Sequence, residues 1–211
     1  VIVTSGFADE FHFGGGPRGA FYDDHLNRNV PILVQRDAII EIQERINYAG
    51  EEIVPLNEGE VVQAAERYQE MGIEAIAICF LSSHLNSGHE ERARQLVNDA
   101  HPEAFVTLSS EVFPVAGEFR RWMTAVFNSF VQSSAQLYLD TITEQVRAAG
   151  YGGTVAFFQG VGGAATRERV QRFPLSLLAS GPAGGAIGAR QLALEMGVEN
   201  VLIGDMGGTS F

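Results

Sequence analysis

The chain has 211 residues, 45% of them hydrophobic, and a formal charge of −12 from 14 basic and 26 acidic side chains. That is enough apolar material for one large or two small cored domains, and it excludes a disordered chain. The acidic balance, with no basic cluster larger than a pair such as Arg120 and Arg121, argues against nucleic acid as a partner, and no apolar run reaches the ~18 to 20 residues of a membrane span.

The one cysteine, Cys79, lies in the apolar run IEAIAICF and reads as a buried, inert thiol. Without a disulfide framework or a signal-peptide pattern, a reducing, cytoplasmic setting is expected. Val1 in place of an initiator methionine, and a loop motif interrupted at Phe211, read as the two ends of an interior piece of a longer protein.

In chain order, Val1 to Arg28 is irregular, with three consecutive glycines, Gly14 to Gly16, before Pro17. It suits either a ligand-facing loop or a surface excursion. From Pro31 to Leu56 apolar and polar residues alternate, which predicts antiparallel strands with Ile40, Ile42 and Ile46 on one face and Glu41, Gln43 and Arg45 on a solvated one. Asn57 with Glu60 predicts a capped helix running to Gly72, and Ile73 to Leu81 a strand buried on both faces. Ser87 with Glu90 predicts a second helix to about Ala100, and Ala104 onward a strand. Together these form a βαβ unit with a partly parallel sheet. The loop SSHLNSGHE sits at a strand's C-terminal end, where open α/β sheets bind ligands. His84, His89 and Glu90 there either act on a ligand or cap a helix.

The stripe Phe119, Trp122, Met123, Val126, Phe127, Phe130 and its continuation to Val146 predict two consecutive helices, or one kinked helix, ended by Gly150. TVAFFQG predicts a strand, Thr166 the start of a short helix stopped at Pro174, and LSLLAS and VLIGD further strands. Three strand ends thus carry glycine-rich turns: Gly160 to Gly163, Gly181 to Gly185, and Gly204 to Gly208. SGPAGG opening a helix suits an anion over the turn, or close packing of the helix on a sheet. Asp205-Met-Gly-Gly-Thr209 combines a carboxylate for Mg²⁺, glycines for close backbone approach and hydroxyls for phosphate oxygens.

SGPAGG, a helix and then DMGGTSF closely resemble the hydantoinase A/5-oxoprolinase family, whose ATPase core belongs to the actin, sugar-kinase and heat-shock-chaperone superfamily. The resemblance runs through SGFADEFHFG, NYAGEEIVPLNE, AICFLSSHLNSGHEERA, LSSEVFPVAGEFRRWMTAVFNSFV and FFQGVGG in the family's order. It implies an α/β, ribonuclease H-like or actin-like ATPase fold spanning parts of two lobes, with an antiparallel strand region near the N-terminus. Residues 1–110 would close an N-terminal domain whose first phosphate loop is missing, and 111–211 would begin the ATPase core.

The implied cofactors are ATP and Mg²⁺: Gly181, Ala183, Gly184 and Gly185 would border the nucleotide cleft, Gly207, Gly208, Thr209 and Ser210 would cradle phosphate, and Asp205 would bind the metal. Arg18, His89, Glu118, Arg121, Thr124 and Asn128 match family positions expected on the substrate side. The implied reaction opens a cyclic amide such as hydantoin, N-methylhydantoin or 5-oxoproline after phosphorylation of the amide oxygen, with a hydantoinase B-type partner subunit or domain. Two alternatives stand beside it: the ATP-dependent subunit of a ketone carboxylase, and a non-enzymatic actin-like nucleotide switch. The chain departs from the family at Gly14 to Gly19 and at Asn86 to Glu90, which puts the substrate in question.

Overall fold

A computed structural model describes residues 1–13 and 33–207, and the chain divides into two compact units, Val1–Ser133 and Ser134–Phe211. The expected glycine loop at Gly14 to Gly16 lies outside the described residues.

The first unit is built on a parallel sheet of four strands, β1 (Ile2–Thr4), β2 (Ile40–Ile42), β5 (Ala75–Cys79) and β6 (Phe105–Leu108), in the order β2-β1-β5-β6. A short helix α1 (Glu10–Phe13) follows β1, and the antiparallel pair β3 (Arg45–Ile46) and β4 (Glu52–Val54) forms a separate hairpin. The helices are α2 (Glu58–Glu70), α3 (Gly88–Ala100), α4 (Ser109–Val112) and α5 (Glu118–Phe130). This is the α/β class with a parallel sheet and a separate antiparallel pair that the sequence predicts.

Both faces of the sheet are covered, as parallel sheets require. On one side Ile2, Ile76, Ile78 and Phe80 pack with Val61, Ala65 and Tyr68 of α2 and Ala93 and Val97 of α3. On the other, Val3, Ala77 and Cys79 meet Trp122, Ala125 and Val126 of α5, and Phe11 stacks on Trp122 at 5.7 Å. Fully burying side chains of this size stabilises by about 1.5–3 kcal/mol each. Cys79 is wholly buried, and burial pushes its thiol pKa well up, out of the range of a nucleophile.

Several expectations are corrected. The irregular N-terminal reading hides β1, a central strand, and Ile40 and Ile42 join it in parallel, so only Ile46 belongs to the hairpin. The supposedly solvated Glu41 accepts the N–H groups of Gly6 and Ala8 at 2.9 and 3.1 Å, and Arg45 lies over the Phe7 ring at 5.1 Å. Asn57 does cap α2, its side chain accepting from Glu60 N. Ser87 makes no such cap on α3; its hydroxyl donates to Glu91 at 2.6 Å and Glu90 turns inward.

The second unit takes up α6 (Gln132–Ala148) from Ser134 on, the antiparallel pair β7 (Ala156–Phe158) and β8 (Ala164–Thr166), α7 (Arg167–Arg172) and α8 (Ser180–Met196). Its core gathers Leu139, Phe157 and Val170, with Ile142, Val155, Ala165 and Leu177 at the margin. Gly150 ends α6 at φ +89°, and Thr166 caps α7 by accepting from Arg169 N, both as expected.

The two later strand expectations fail. Pro174–Leu177 is a 3-10 turn, because proline fixes φ at a helix-compatible value and removes a ladder donor. Residues 201–207 have no ladder partner among the described residues, and Leu202 is 98% exposed.

Candidate functional site

In the first unit the strand order reverses between β1 and β5: one connection leads outward to β2, the other to β6. Ligands of open α/β sheets bind at the carboxyl end of such a switch point. Here that end is dense with polar side chains. Thr4, the last residue of β1, accepts the Leu81 N–H at 2.9 Å and donates to the buried Glu44. Glu90 is fully buried and takes four donors: Phe80 N–H (2.9 Å) and the Ser109 hydroxyl (2.7 Å) on Oε1, Ser110 N–H (2.9 Å) and the Ser110 hydroxyl (2.6 Å) on Oε2. Because the single Ser109 proton goes to Glu90, Ser83 must be the donor in its 3.2 Å contact with Ser109. A buried carboxylate satisfied in this way fastens α3, the end of β5 and the start of α4 into one rigid edge.

Arg121 sits at the centre with its side chain fully buried. All five of its N–H groups have partners: Nε on the Ser109 hydroxyl (3.2 Å), Nη1 on Val115 O (3.0 Å) and His84 Nδ1 (3.3 Å), Nη2 on Phe80 O (3.1 Å) and Glu118 Oε1 (3.3 Å). Arg121 therefore has no donor left for a ligand and acts by holding its neighbours. Glu118, the first residue of α5, also accepts the Ser82 N–H at 3.3 Å. Burial alone would raise its pKa, but the Ser82 N–H and the Arg121 charge outweigh that and hold the carboxyl below its ordinary range.

His89 is gripped at both nitrogens, Nδ1 by Glu44 and Nε2 by Glu52, each at 2.7 Å. It ties α3 to the hairpin and has no nitrogen free. Thr124 donates to Arg120 O at 2.8 Å within its own helix, and the buried Asn128, two turns beyond Arg121, reaches Thr107 at 3.3 Å. Of the six residues expected on the substrate side, Glu118 and Arg121 are brought together, His89 lies in a structural clamp, Thr124 and Asn128 lie elsewhere along α5, and Arg18 is outside the described residues. His84 joins the pair through a loop whose sequence alone left its role open.

In the second unit, SGPAGG is the first turn and a half of α8 rather than a turn before it, entered through the left-handed Ala179 (φ +57°). The glycines there differ. A Cβ on Gly184 would rest on the Phe158 ring at 3.6 Å, so this glycine packs α8 on β7; Gly181 and Gly185 would meet nothing within 4 Å. Those two, with Pro182, line a cavity of about 760 Å³ whose other wall is Ile203, Gly204, Asp205, Met206 and Gly207. Ala183 is half-buried and does not line it. Gly208, Thr209 and Ser210 lie outside the described residues. In the Gly160 to Gly163 turn, Gly160 serves packing, since a Cβ there would stand 1.9 Å from Leu178 O, whereas Gly162 and Gly163 take the left-handed backbone at φ +89° and +79°.

Fold and site together define an α/β protein with a polar switch-point edge in one unit and a glycine-walled, carboxylate-bearing cavity in the other. Residues 1–101 match the hydantoinase/oxoprolinase N-terminal region and residues 121–211 match hydantoinase/oxoprolinase. The chain belongs to the hydantoinase/oxoprolinase family. It is 33% identical over 213 residues to caprolactamase subunit alpha of Pseudomonas jessenii, and 31% identical over 227 residues to the acetophenone carboxylase gamma subunit of Aromatoleum aromaticum. In both cases the match takes in 100% of this chain and 30% of the relative. The crystal structure of ATP-dependent caprolactamase from Pseudomonas jessenii superimposes with a TM-score of 0.83 at 30% identity, over 99% of this chain and 30% of that one. The nucleotide-free structure of acetone carboxylase gives 0.75 at 26%, over 93% and 29%. The chain thus spans about a third of the length of these relatives.

Proposed function

We propose that this chain is part of an ATP-dependent hydrolase that opens a cyclic amide, with the nucleotide phosphates against α8 and the 203–207 segment. The observation that carries the reading is the cavity that both glycine-rich motifs line, Gly181 and Gly185 on one side and Gly204, Asp205 and Gly207 on the other. Its volume suits a nucleotide-sized ligand. Gly181 and Gly185 open onto space, so the missing side chains serve access and not packing. The caprolactamase likeness supports both the nucleotide and the substrate class.

The donor set fits Mg²⁺ as well. Among the described residues no group of three His, Cys, Asp or Glu could hold a metal alone. Mg²⁺ is commonly held by one or two carboxylates together with phosphate oxygens and water. Asp205 would supply the carboxylate, and Gly207, Gly208, Thr209 and Ser210 would border the phosphates. ATP would supply the phosphoryl group that activates the amide oxygen. The division near residue 110 into an N-terminal domain and an ATPase core, a cytoplasmic setting, and a hydantoinase B-type partner belong to the same reading. Relatives named as subunits support a partner.

Lactam-stimulated ATP turnover by the full-length protein with its partner tests the proposal; turnover that no cyclic amide stimulates would refute it. A second reading, the ATP-dependent subunit of a ketone carboxylase, is favoured by the likeness to the acetophenone carboxylase subunit. Product formation that requires bicarbonate and a ketone would select it.

A further inference from the structure

We infer that His84 and Glu118 together read the N–H and C=O edge of a cyclic amide at the β1/β5 switch point, with Arg121 as the positioning residue that holds both. The inference rests on the hydrolase reading and names the residues that would select its substrate.

Arg121 can donate to His84 Nδ1 only when that nitrogen carries no proton, so the ring bears its hydrogen on Nε2, directed away from the guanidinium. Glu118 takes the bonds from Ser82 and Arg121 on one oxygen, Oε1. The carboxylate also accepts its own backbone N–H, and the side chain is 31% exposed, which leaves acceptor capacity for a ligand. One guanidinium thus holds a donor through Nη1 and an acceptor through Nη2, at the sheet edge where the fold places ligands.

Ser82 adds a third sign. It is a non-glycine residue at φ +53°, kept there by Leu85 and Asn86 N–H groups on its carbonyl, and its own N–H is spent on Glu118. Left-handed backbone at such a residue is strained and gathers where side chains must be aimed.

The ligand chemistry follows. A small ring forces its amide to be cis, so N–H and C=O lie on one edge, whereas an open-chain amide is trans and presents them on opposite edges. A donor beside an acceptor matches the cis edge: Nε2–H to the carbonyl, the carboxylate oxygen to the N–H. A ketone offers the first contact and not the second.

The test uses the full-length protein with its partner and compares 5-oxoproline, ε-caprolactam or hydantoin, whichever stimulates ATP turnover best, with its counterpart methylated on the amide nitrogen. In the wild type, methylation lowers kcat/KM at least ~10-fold, because Glu118 is left unpaired. In Glu118→Gln that ratio falls to about 1–2, mainly by loss on the unmethylated substrate. His84→Phe weakens both substrates alike, and neither variant changes the KM for ATP. Independently of any variant's folding, ¹⁵N NMR of the wild type shows His84 as the Nε2–H tautomer. An unchanged methylation ratio in Glu118→Gln, or the Nδ1–H tautomer, would overturn the inference while leaving the hydrolase reading in place. Absence of turnover with every cyclic amide would overturn both.

Discussion

Glu90 reaches inward from the first turn of α3 and accepts the Phe80 backbone N–H at 2.9 Å. A residue with the spacing of a helix cap is thereby converted into the buried anchor of the sheet edge. The same carboxylate holds both hydroxyls of the Ser109-Ser110 pair, and Ser109 in turn receives Arg121. The position of Arg121, and with it His84 and Glu118, depends on an anion that touches none of those three directly.

Removing that anion is accordingly costly. Glu90→Ala leaves four donors without an acceptor in a buried place, and should lower unfolding free energy by about 3–5 kcal/mol in urea titrations. Glu90→Gln keeps the shape but replaces one acceptor by a donor, and should lie between. A loss below about 1 kcal/mol for Glu90→Ala would show that the edge does not depend on it.

Glu118 should leave a signature in pH. Its folded-state pKa is depressed, so its stabilisation is fully present above the ordinary carboxylate range and is lost as pH falls through the lower folded value. Glu118→Gln should therefore cost about 1–2 kcal/mol at pH 7, with the gap to wild type closing below about pH 4. Thermal melts at both pH values check this; a gap independent of pH would mean that the charge of Glu118 contributes nothing.

The glycines of the second unit separate packing from access. Gly160→Ala should destabilise by about 3 kcal/mol or more, because the new methyl would stand 1.9 Å from Leu178 O, a backbone atom that cannot swing aside. Gly185→Ala meets nothing within 4 Å and lies inside α8, so it should gain up to about 1 kcal/mol of helix stability while weakening nucleotide binding. Melting curves together with ATP titration of the full-length protein check the pair. Equal tolerance of the two substitutions would contradict the distinction.

These residues also show how much of the molecule its sequence reveals. α2, α3, α5 and α6 are legible because their apolar residues recur at helical spacing, and β5 because it is apolar throughout. β1 is three residues long, too short for any period, and is a strand only because β2 and β5 flank it. VLIGD fails in the opposite sense: its composition is that of a strand, but a strand also needs a partner ladder. At the candidate site, the motif residues Gly181, Gly185 and Asp205 could be picked out by type and spacing. The role of Arg121 could not, since a buried arginine looks the same in sequence whether it meets a ligand or spends every donor on its own fold. His84 gains meaning only from the nitrogen that Arg121 occupies.

Asp205 is the one carboxylate that the cavity offers a nucleotide's metal among the described residues. Asp205→Ala in the full-length protein, with its partner and a stimulating cyclic amide, should lower ATP turnover by at least ~100-fold, the scale of a lost charge-stabilising contact. It should leave thermal stability unchanged, since the residue is exposed. Turnover at the wild-type rate would contradict the placement of the nucleotide at this cavity.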